Sequence, residues 1–138
     1  MRWTDKAKDV ARSYKSNCRE LELLLVAQEQ GIKSASISSM RSGRISRPVE
    51  AAALANLSGE RMAYLEQANY AVDYAISKAR EKPNGELTIK IFELVYRDKT
   101  HRLFAAAREL HISESTARRY NQFFLKMIAS QMGYIQIL

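Results

Sequence analysis

The chain has 138 residues, 46% hydrophobic and 27% charged, which is typical of one soluble domain, or of one small domain with a helical extension. No apolar run approaches the ~20 residues of a membrane span, and the first residues lack the apolar core of a signal peptide. Cys18 is the single cysteine, which excludes an internal disulfide framework and is compatible with a reducing cytoplasm.

The net charge of +7 is unevenly distributed along the chain. Residues 1–20, 31–50 and 101–138 each carry an excess of three positive charges, whereas residues 51–100 are neutral. Basic segments attract phosphate backbones and accelerate association with them. Charge alone does not distinguish DNA from RNA or from an acidic protein.

The first predicted element is a long helix from Trp3 to Gln30. Its apolar positions recur at spacings of four and three, interrupted by the polar Asn17. The seam consists of Trp3, Ala7, Val10, Tyr14, Asn17, Leu21, Leu24 and Gln28. It predicts either a homodimer through the N-terminal helices, with Asn17 setting the register, or an amphipathic helix that packs on its own domain. Gly31 is predicted to end the helix.

A loop rich in serine and arginine is predicted from Ile32 to Pro48. Serines alternate there with Arg41, Arg44 and Arg47, and little in the segment can be buried. The three arginines are candidate contacts to a DNA backbone or minor groove. The alternative interpretation is a flexible basic connector.

Pro48 is predicted to open a second long helix, from Val49 to about Lys82, because its fixed φ suits a first helical turn. One apolar stripe follows a period near 3.6 residues. It comprises Leu54, Leu57, Leu65, Ala68, Val72, Ala75 and Ala79. We expect this helix to pair with the first as an antiparallel hairpin. The tyrosines at 64, 70 and 74 are expected in a core or an interface rather than in a base-stacking platform.

The clearest break in the chain is the turn sequence Pro83-Asn84-Gly85, which separates an N-terminal region (1–82) from a C-terminal unit (86–133). A helix is predicted from Glu86 to Tyr96, and a loop from Arg97 to Thr100. The apolar face of this helix is predicted to comprise Leu87, Ile91, Leu94 and Val95. Thr100 is the predicted cap of the next helix.

Residues 103–122 predict a helix-turn-helix. Ala106 and Ala107 allow two short helices to cross closely, and His111-Ile112-Ser113 is short enough for the turn. Ser113 is a favourable N-cap, and Glu114 complements the helix dipole. In many such motifs glycine occupies the position of His111, where a left-handed backbone costs histidine more.

The second helix of this motif is predicted to bury Ala117, Tyr120 and Phe124 and to expose a polar face opposite. Arginine can bind guanine O6 and N7, glutamine binds adenine, and serine or threonine binds phosphates or bases. These residues therefore suit a helix that reads the major groove of double-stranded DNA. The alternative is an ordinary helical hairpin with a solvated basic face. The candidate DNA-binding residues are Ser113, Ser115, Thr116, Arg118, Arg119, Gln122, Arg102, Arg41, Arg44 and Arg47.

The last helix is expected to continue to about Gln131 and to stop at Gly133. Its extension carries apolar residues, Phe124, Met127 and Ile128, that are expected to pack on the N-terminal hairpin. The apolar tail, 134–138, is expected to dock on a partner or on the domain itself. The predicted fold is therefore all-α: an N-terminal long-helix hairpin followed by a C-terminal helix-turn-helix unit.

The order of these parts resembles small phage-encoded late transcriptional regulators of the RinA and ArpU type, whose C-terminal unit is similar to region 4 of sigma factors. The segments that carry the resemblance are 91–96, 107–120 and Ser-Arg-Pro-Val-Glu at 46–50. It implies activation of late phage genes, such as packaging or lysis operons, by promoter binding and by contact with host RNA polymerase.

No sequence feature supports catalysis. Glycine-rich phosphate loops, the His-Glu-x-x-His zinc motif and paired metal-binding cysteines are all absent from the sequence. We therefore expect no enzyme, no catalytic residue, no metal site and no cofactor. Two other functions stay open: a DNA-packaging adaptor resembling a small terminase subunit, and a helical protein-interaction module. The C-terminal position of the helix-turn-helix disfavours the packaging adaptor.

Overall fold

A computed structural model describes the backbone of residues 2–38 and 48–136 and the side chains of residues 2–29 and 59–136. Its regular elements are all helical, which confirms the predicted fold class for the described part of the chain. The helices are α1 (Trp3–Arg12), α2 (Tyr14–Ser38), α3 (Pro48–Arg80), α4 (Gly85–Phe92), α5 (Leu103–Glu109) and α6 (Glu114–Met132). A π-helical turn, Glu93–Arg97, continues α4.

The single helix predicted from Trp3 to Gln30 is wrong in two respects. It is divided at Ser13, because α1 packs against α6 whereas α2 packs against α3, and one straight helix could not follow both surfaces. It also does not end at Gly31, since α2 continues to Ser38. A glycine inside a helix costs only about 1 kcal/mol relative to alanine, and the next proline is Pro48.

The helix end at Ser38 also corrects the predicted loop, which was expected to start at Ile32. Residues 39–47, with Arg41, Arg44 and Arg47, lie outside the described residues. Pro48 is the first residue of α3, as predicted.

Helices α2 and α3 run antiparallel, as expected. The Tyr14 hydroxyl donates to Asp73 Oδ1 at 2.8 Å, and Arg61 Nη2 lies 2.8 Å from Glu20 Oε2. Residues later in α2 therefore contact residues earlier in α3, which is the order of an antiparallel pair. Burial and the Asp73 carboxylate raise the pKa of Tyr14 above its usual value. The break at Ser13 therefore does not alter the antiparallel packing of α2 on α3.

The predicted stripe of α3 is confirmed wherever side chains are described. Its buried members are Leu65, Ala68, Val72, Ala75 and Ala79. The side chains of Leu54 and Leu57 lie outside the described residues. Tyr64 and Tyr70 do not belong to the core, as they are exposed beside the stripe, and Tyr70 stacks on Tyr74 with ring centroids 6.3 Å apart.

The turn at Pro83-Asn84-Gly85 lies between α3 and α4, as predicted. At Gly85 the backbone passes so close to Ala79 that a Cβ atom would lie 1.8 Å from the Ala79 carbonyl oxygen. Only glycine fits this approach, which brings α4 against the end of α3.

The helix predicted from Glu86 to Tyr96 is not regular throughout, since α4 widens into the π-helical turn at Glu93. Its buried face also differs from the prediction. Ile91 is buried, but Phe92 and Tyr96 are buried as well, whereas Leu87 and Leu94 are only partly covered. The reason is that this segment is covered from several sides: α4 and its π-turn contact α5 and α6, and α1 contacts the π-turn. A single apolar stripe along the segment therefore does not identify all of its buried residues.

One main core joins the two predicted regions of the chain. Phe92 and Phe124 lie at its centre, with ring centroids 4.8 Å apart. Residues of α1, α3, α4 and α6 contribute to this core. Within the described residues, therefore, the N-terminal helices and the C-terminal unit share their interior.

Gly133 ends α6 in a left-handed conformation (φ 76°), as predicted. Beyond it, Tyr134 and Ile135 pack against the main core, so the described part of the tail docks on its own domain. Among the described helices, none combines the length and the apolar composition needed to cross a membrane.

Candidate nucleic-acid interface

Buried alanines lie where α5 and α6 meet. Ala106, Ala107 and Ala117 are each at most 2% exposed, and Ala107 and Ala117 share a small cluster with Ile91. Because an alanine side chain is a single methyl group, the two helix backbones can approach closely. Larger side chains close the cluster at its edges: Val95, Leu103, Leu110, Ile112 and Tyr120.

The turn between α5 and α6 depends on an unusual backbone conformation at His111. Its φ is +58°, in the left-handed region that glycine adopts at lower cost. The conformation lets the N–H of Ile112 donate to the Ala107 carbonyl at 3.0 Å and directs Ile112 into the small cluster. The left-handed histidine considered from sequence is therefore present.

Ser113 caps α6, as predicted. Its Oγ accepts a hydrogen bond from the Thr116 N–H at 3.1 Å and donates one to Thr116 Oγ1 at 2.8 Å. Ser115 Oγ lies 3.2 Å from Ser113 Oγ. Of the candidate DNA-binding residues, Ser113 and Thr116 are thus engaged in positioning the helix, while Ser115 is exposed beside them.

The first half of α6 presents the predicted polar face to solvent. Ser115, Arg118, Arg119 and Gln122 are all exposed, and at 100° per residue they lie within about 100° of the helix circumference. The Arg118 side chain is 69% exposed and forms an i,i+4 ion pair with Glu114, with Nη2 and Oε1 2.7 Å apart. An exposed pair of this kind contributes little to stability, so Arg118 can exchange Glu114 for another acceptor at small cost.

Arg119 lies at one border of this face. Its guanidinium carbon is 5.9 Å from the centroid of the Tyr120 ring, and the side chain lines a shallow cleft with Lys82 and Asn84. Lys82 Nζ in turn lies 3.8 Å from the centroid of Phe123. Sequence reasoning assigned no role to Lys82, because the turn at residues 83–85 separates it from the motif.

Arg102 lies at the opposite border, immediately before α5. The predicted cap, Thr100, is wrong: Arg102 occupies the N-cap position, without a side-chain cap, and the Thr100 hydroxyl instead donates to the Leu94 carbonyl at 3.4 Å. The N–H of Thr100 also donates to the Leu94 carbonyl, at 3.0 Å. Thr100 is therefore held against the π-turn, to which Leu94 belongs, and does not cap α5.

A cleft of about 330 Å³ places Arg102 beside two cations of α1, Lys8 and Arg12. These two residues were not predicted as site residues. Their i,i+4 spacing puts them on one face of a helix, a signal that was available in the sequence. Tyr96 and Asn121 also line the cleft.

The structure thus brings together Ser113, Ser115, Thr116, Arg118, Arg119 and Gln122 on or beside one half-helix, and it places Arg102 in a neighbouring cleft. Among the residues whose side chains are described, no group of three or more His, Cys, Asp or Glu residues could hold a metal ion.

Comparison with protein-family models, with curated proteins and with solved structures finds no match to this chain.

Proposed function

We propose that this protein is a sequence-specific, double-stranded DNA-binding transcriptional regulator. The observation that carries the proposal is the exposed polar face on the first half of α6, which comprises Ser115, Arg118, Arg119 and Gln122. The opposite side of this half packs closely on α5 through buried alanines. A major groove admits an α-helix only if one face of that helix is free of packing. In this half of α6 the packed side is formed mainly by small or flat residues, such as Ala117 and Tyr120.

In the proposed complex, Arg118 and Gln122 read base edges, and Arg119 contacts a base or the adjacent backbone. Arg118 must then leave the Glu114 oxygen that it contacts, and a guanine offers its guanidinium two acceptors, O6 and N7. Ser113 and Thr116 set the angle at which α6 enters the groove, because their hydroxyls fix the first turn.

The biological role that we propose is activation of late phage genes, such as packaging or lysis operons, in a bacterial host cytoplasm. It rests on the resemblance of the sequence to RinA- and ArpU-type regulators, and contact with host RNA polymerase belongs to the same proposal. A homodimer through the N-terminal helices is also proposed. The seam predicted for it is partly covered by the protein itself, since Ala7 and Val10 belong to the main core and Asn17 is buried. The support for a dimer comes instead from the exposed apolar residues on α2, of which Leu23 and Val26 share a face. A molar mass in solution twice that of the chain would support the dimer.

The experiment that tests DNA recognition is selection of bound duplexes from a random library, followed by affinity measurements on the selected and a scrambled duplex. Arg118→Ala and Gln122→Ala should each weaken the selected duplex by roughly 1–3 kcal/mol if they contact bases, and the scrambled duplex by much less. Arg19→Ala, which removes an exposed cation from α2, is the matched control and should leave the preference unchanged.

The outcomes separate the candidate functions. Equal losses on both duplexes would exclude base reading by α6. Tight but motif-free binding together with a ring-sized oligomer would favour a packaging adaptor. If the unaltered chain binds no duplex, a protein-interaction module becomes the better interpretation.

A further inference from the structure

The cleft beside Arg102 contains cations without matching anions. Lys8 and Arg12 enter it from α1 and Arg102 from the start of α5, and no Asp or Glu of the described part of the chain lines it. Among the described residues, none of these three cations forms an ion pair. His101, which also lines the cleft, is engaged with Glu109, with Nε2 and Oε2 2.5 Å apart. Like charges gathered without a counterion repel one another, so an anion in the cleft would stabilise the arrangement.

Tyr96 and Asn121, which also line this cleft, are joined by a buried hydrogen bond that orients the amide of Asn121. Tyr96, 2% exposed, donates its hydroxyl proton to Asn121 Oδ1 at 2.6 Å, and Asn121 is 8% exposed. This bond occupies the acceptor of the Asn121 amide and leaves its Nδ2 as the end available to a ligand. Burial raises the pKa of Tyr96, although Asn121 and the nearby charge of Arg12 act in the opposite direction, so Tyr96 stays protonated at neutral pH and keeps donating to Asn121.

The polar groups that the cleft offers are therefore donors: an ammonium, two guanidinium groups and an amide. Their ligand must present several acceptor oxygens and a negative charge, which is the chemistry of a phosphate group.

The position of the cleft links it to the exposed half of α6. Asn121 directly precedes Gln122, and at 100° per residue it lies about 60° around the helix from Arg118. A duplex that takes α6 into its groove would therefore carry its backbone along this border.

We infer that the cleft formed by Lys8, Arg12, Arg102 and Asn121 binds a phosphate group, which in the DNA complex is a backbone phosphate beside the groove that α6 enters. The second part of this inference rests on the proposed function. It assigns to α1, which is remote from the helix-turn-helix in sequence, a role in positioning DNA. The first part concerns phosphate alone and can be tested without DNA.

The phosphate arm of the test uses the full chain and inorganic phosphate. The side-chain amide resonances of Asn121 are followed by NMR during titration with phosphate, at constant ionic strength maintained with chloride. We expect a saturable shift that is lost in Arg12→Gln and in Arg102→Gln and is retained in the control Arg19→Gln. Because all three residues are exposed, we expect the thermal unfolding of each variant to be unchanged. Unchanged unfolding shows that the fold persists. Absence of a saturable shift in the unaltered chain overturns the inference that the cleft binds phosphate.

The duplex arm measures affinity against salt for the same variants. Each lost phosphate contact should lower the slope of log K against log salt by about one, and equally on selected and scrambled sequences. A lowered slope for Arg12→Gln and Arg102→Gln, but not for Arg19→Gln, supports a backbone phosphate in the cleft. A phosphate shift without any change in duplex binding would instead assign the cleft to a free phosphate-bearing ligand and overturn the DNA part.

The design also separates this inference from the proposed function. If the unaltered chain binds no duplex, the proposed function fails, while the phosphate arm still decides whether the cleft is an anion site. If Arg118→Ala abolishes sequence preference but the cleft variants leave the salt slope unchanged, the proposed function stands and the backbone assignment fails.

Discussion

The two halves of α6 differ sharply in what surrounds them. In the first half, residues 114–122, only Ala117 and Asn121 are buried, and one side of the helix is free. In the second half the buried residues are Phe124, Leu125, Ile128 and Ala129. At 100° per residue these four positions span about 140° of the circumference, and all four belong to the main core, to which α1 and α3 also contribute.

The difference shows how one helix can combine an anchored half with a half whose outer side is free. The proposed function assigns DNA reading to that free half, which we call the reader half. The second half fixes the axis of α6 in the main core, so that the first half can present arginine and glutamine side chains without support on its outer side. A reader helix held only by the small alanine cluster would have a less defined direction. The following predictions test this division, from the largest expected effect to the smallest.

Removing the anchor should have the largest effect. Phe124→Ala deletes a ring that is 1% exposed and packs on Phe92, and truncations of this kind cost about 3–5 kcal/mol. The free energy of unfolding is measured by urea denaturation, with Phe104→Ala as the control, because Phe104 is 54% exposed. If both variants lose the same stability, the second half of α6 is not the anchor.

Overpacking the crossing beneath the reader half should have a smaller effect. Ala107→Leu adds volume where Ala107 meets Ala117, and overpacked cores typically lose about 1–3 kcal/mol. Ala105→Leu, at a partly exposed position of the same helix, is the control and should lose less. An unchanged melting temperature of Ala107→Leu would show that α5 and α6 are not held as closely as the alanines indicate.

Loss of the cap should affect only the start of the reader half. Ser113→Ala removes the acceptor of the Thr116 N–H, and such losses usually cost about 1 kcal/mol. Ser113→Asp should retain most of the stability because a carboxylate can accept the same bond. Hydrogen exchange of the first turn of α6 measures the effect. Equal protection in all three proteins would contradict the role of this cap.

The left-handed turn should show the smallest change. His111→Gly relieves the cost of φ +58° but increases the entropy of the unfolded chain, so the net change in stability should stay within about 0.5 kcal/mol. Lys99→Gly, at the other non-glycine residue with positive φ among those described, is the comparison. A loss above this range for His111→Gly would mean that the imidazole makes a stabilising contact in the turn.

Local patterns in the sequence were sufficient to predict several parts of this protein. The all-α class follows from apolar periodicity, the start of α3 from Pro48, and the two ends of α6 from Ser113 and Gly133. These features depend on the conformations and hydrogen bonds of neighbouring residues, which are encoded locally. The exposed face of α6 was predictable for the same reason, since the buried Ala117 and Phe124 determine which side is left to solvent.

Only the tertiary structure decided the features that depend on distant contacts. The break at Ser13 arises because α1 and α2 pack on different helices, and the exposure of Tyr70 because α3 is covered along its alanine-rich stripe. The cleft that joins Lys8 and Arg12 to Arg102 brings together residues about ninety positions apart. Neither periodicity nor capping signals predict contacts between residues so far apart in the sequence. They report the surroundings of a residue along its own helix and not the helix against which it packs.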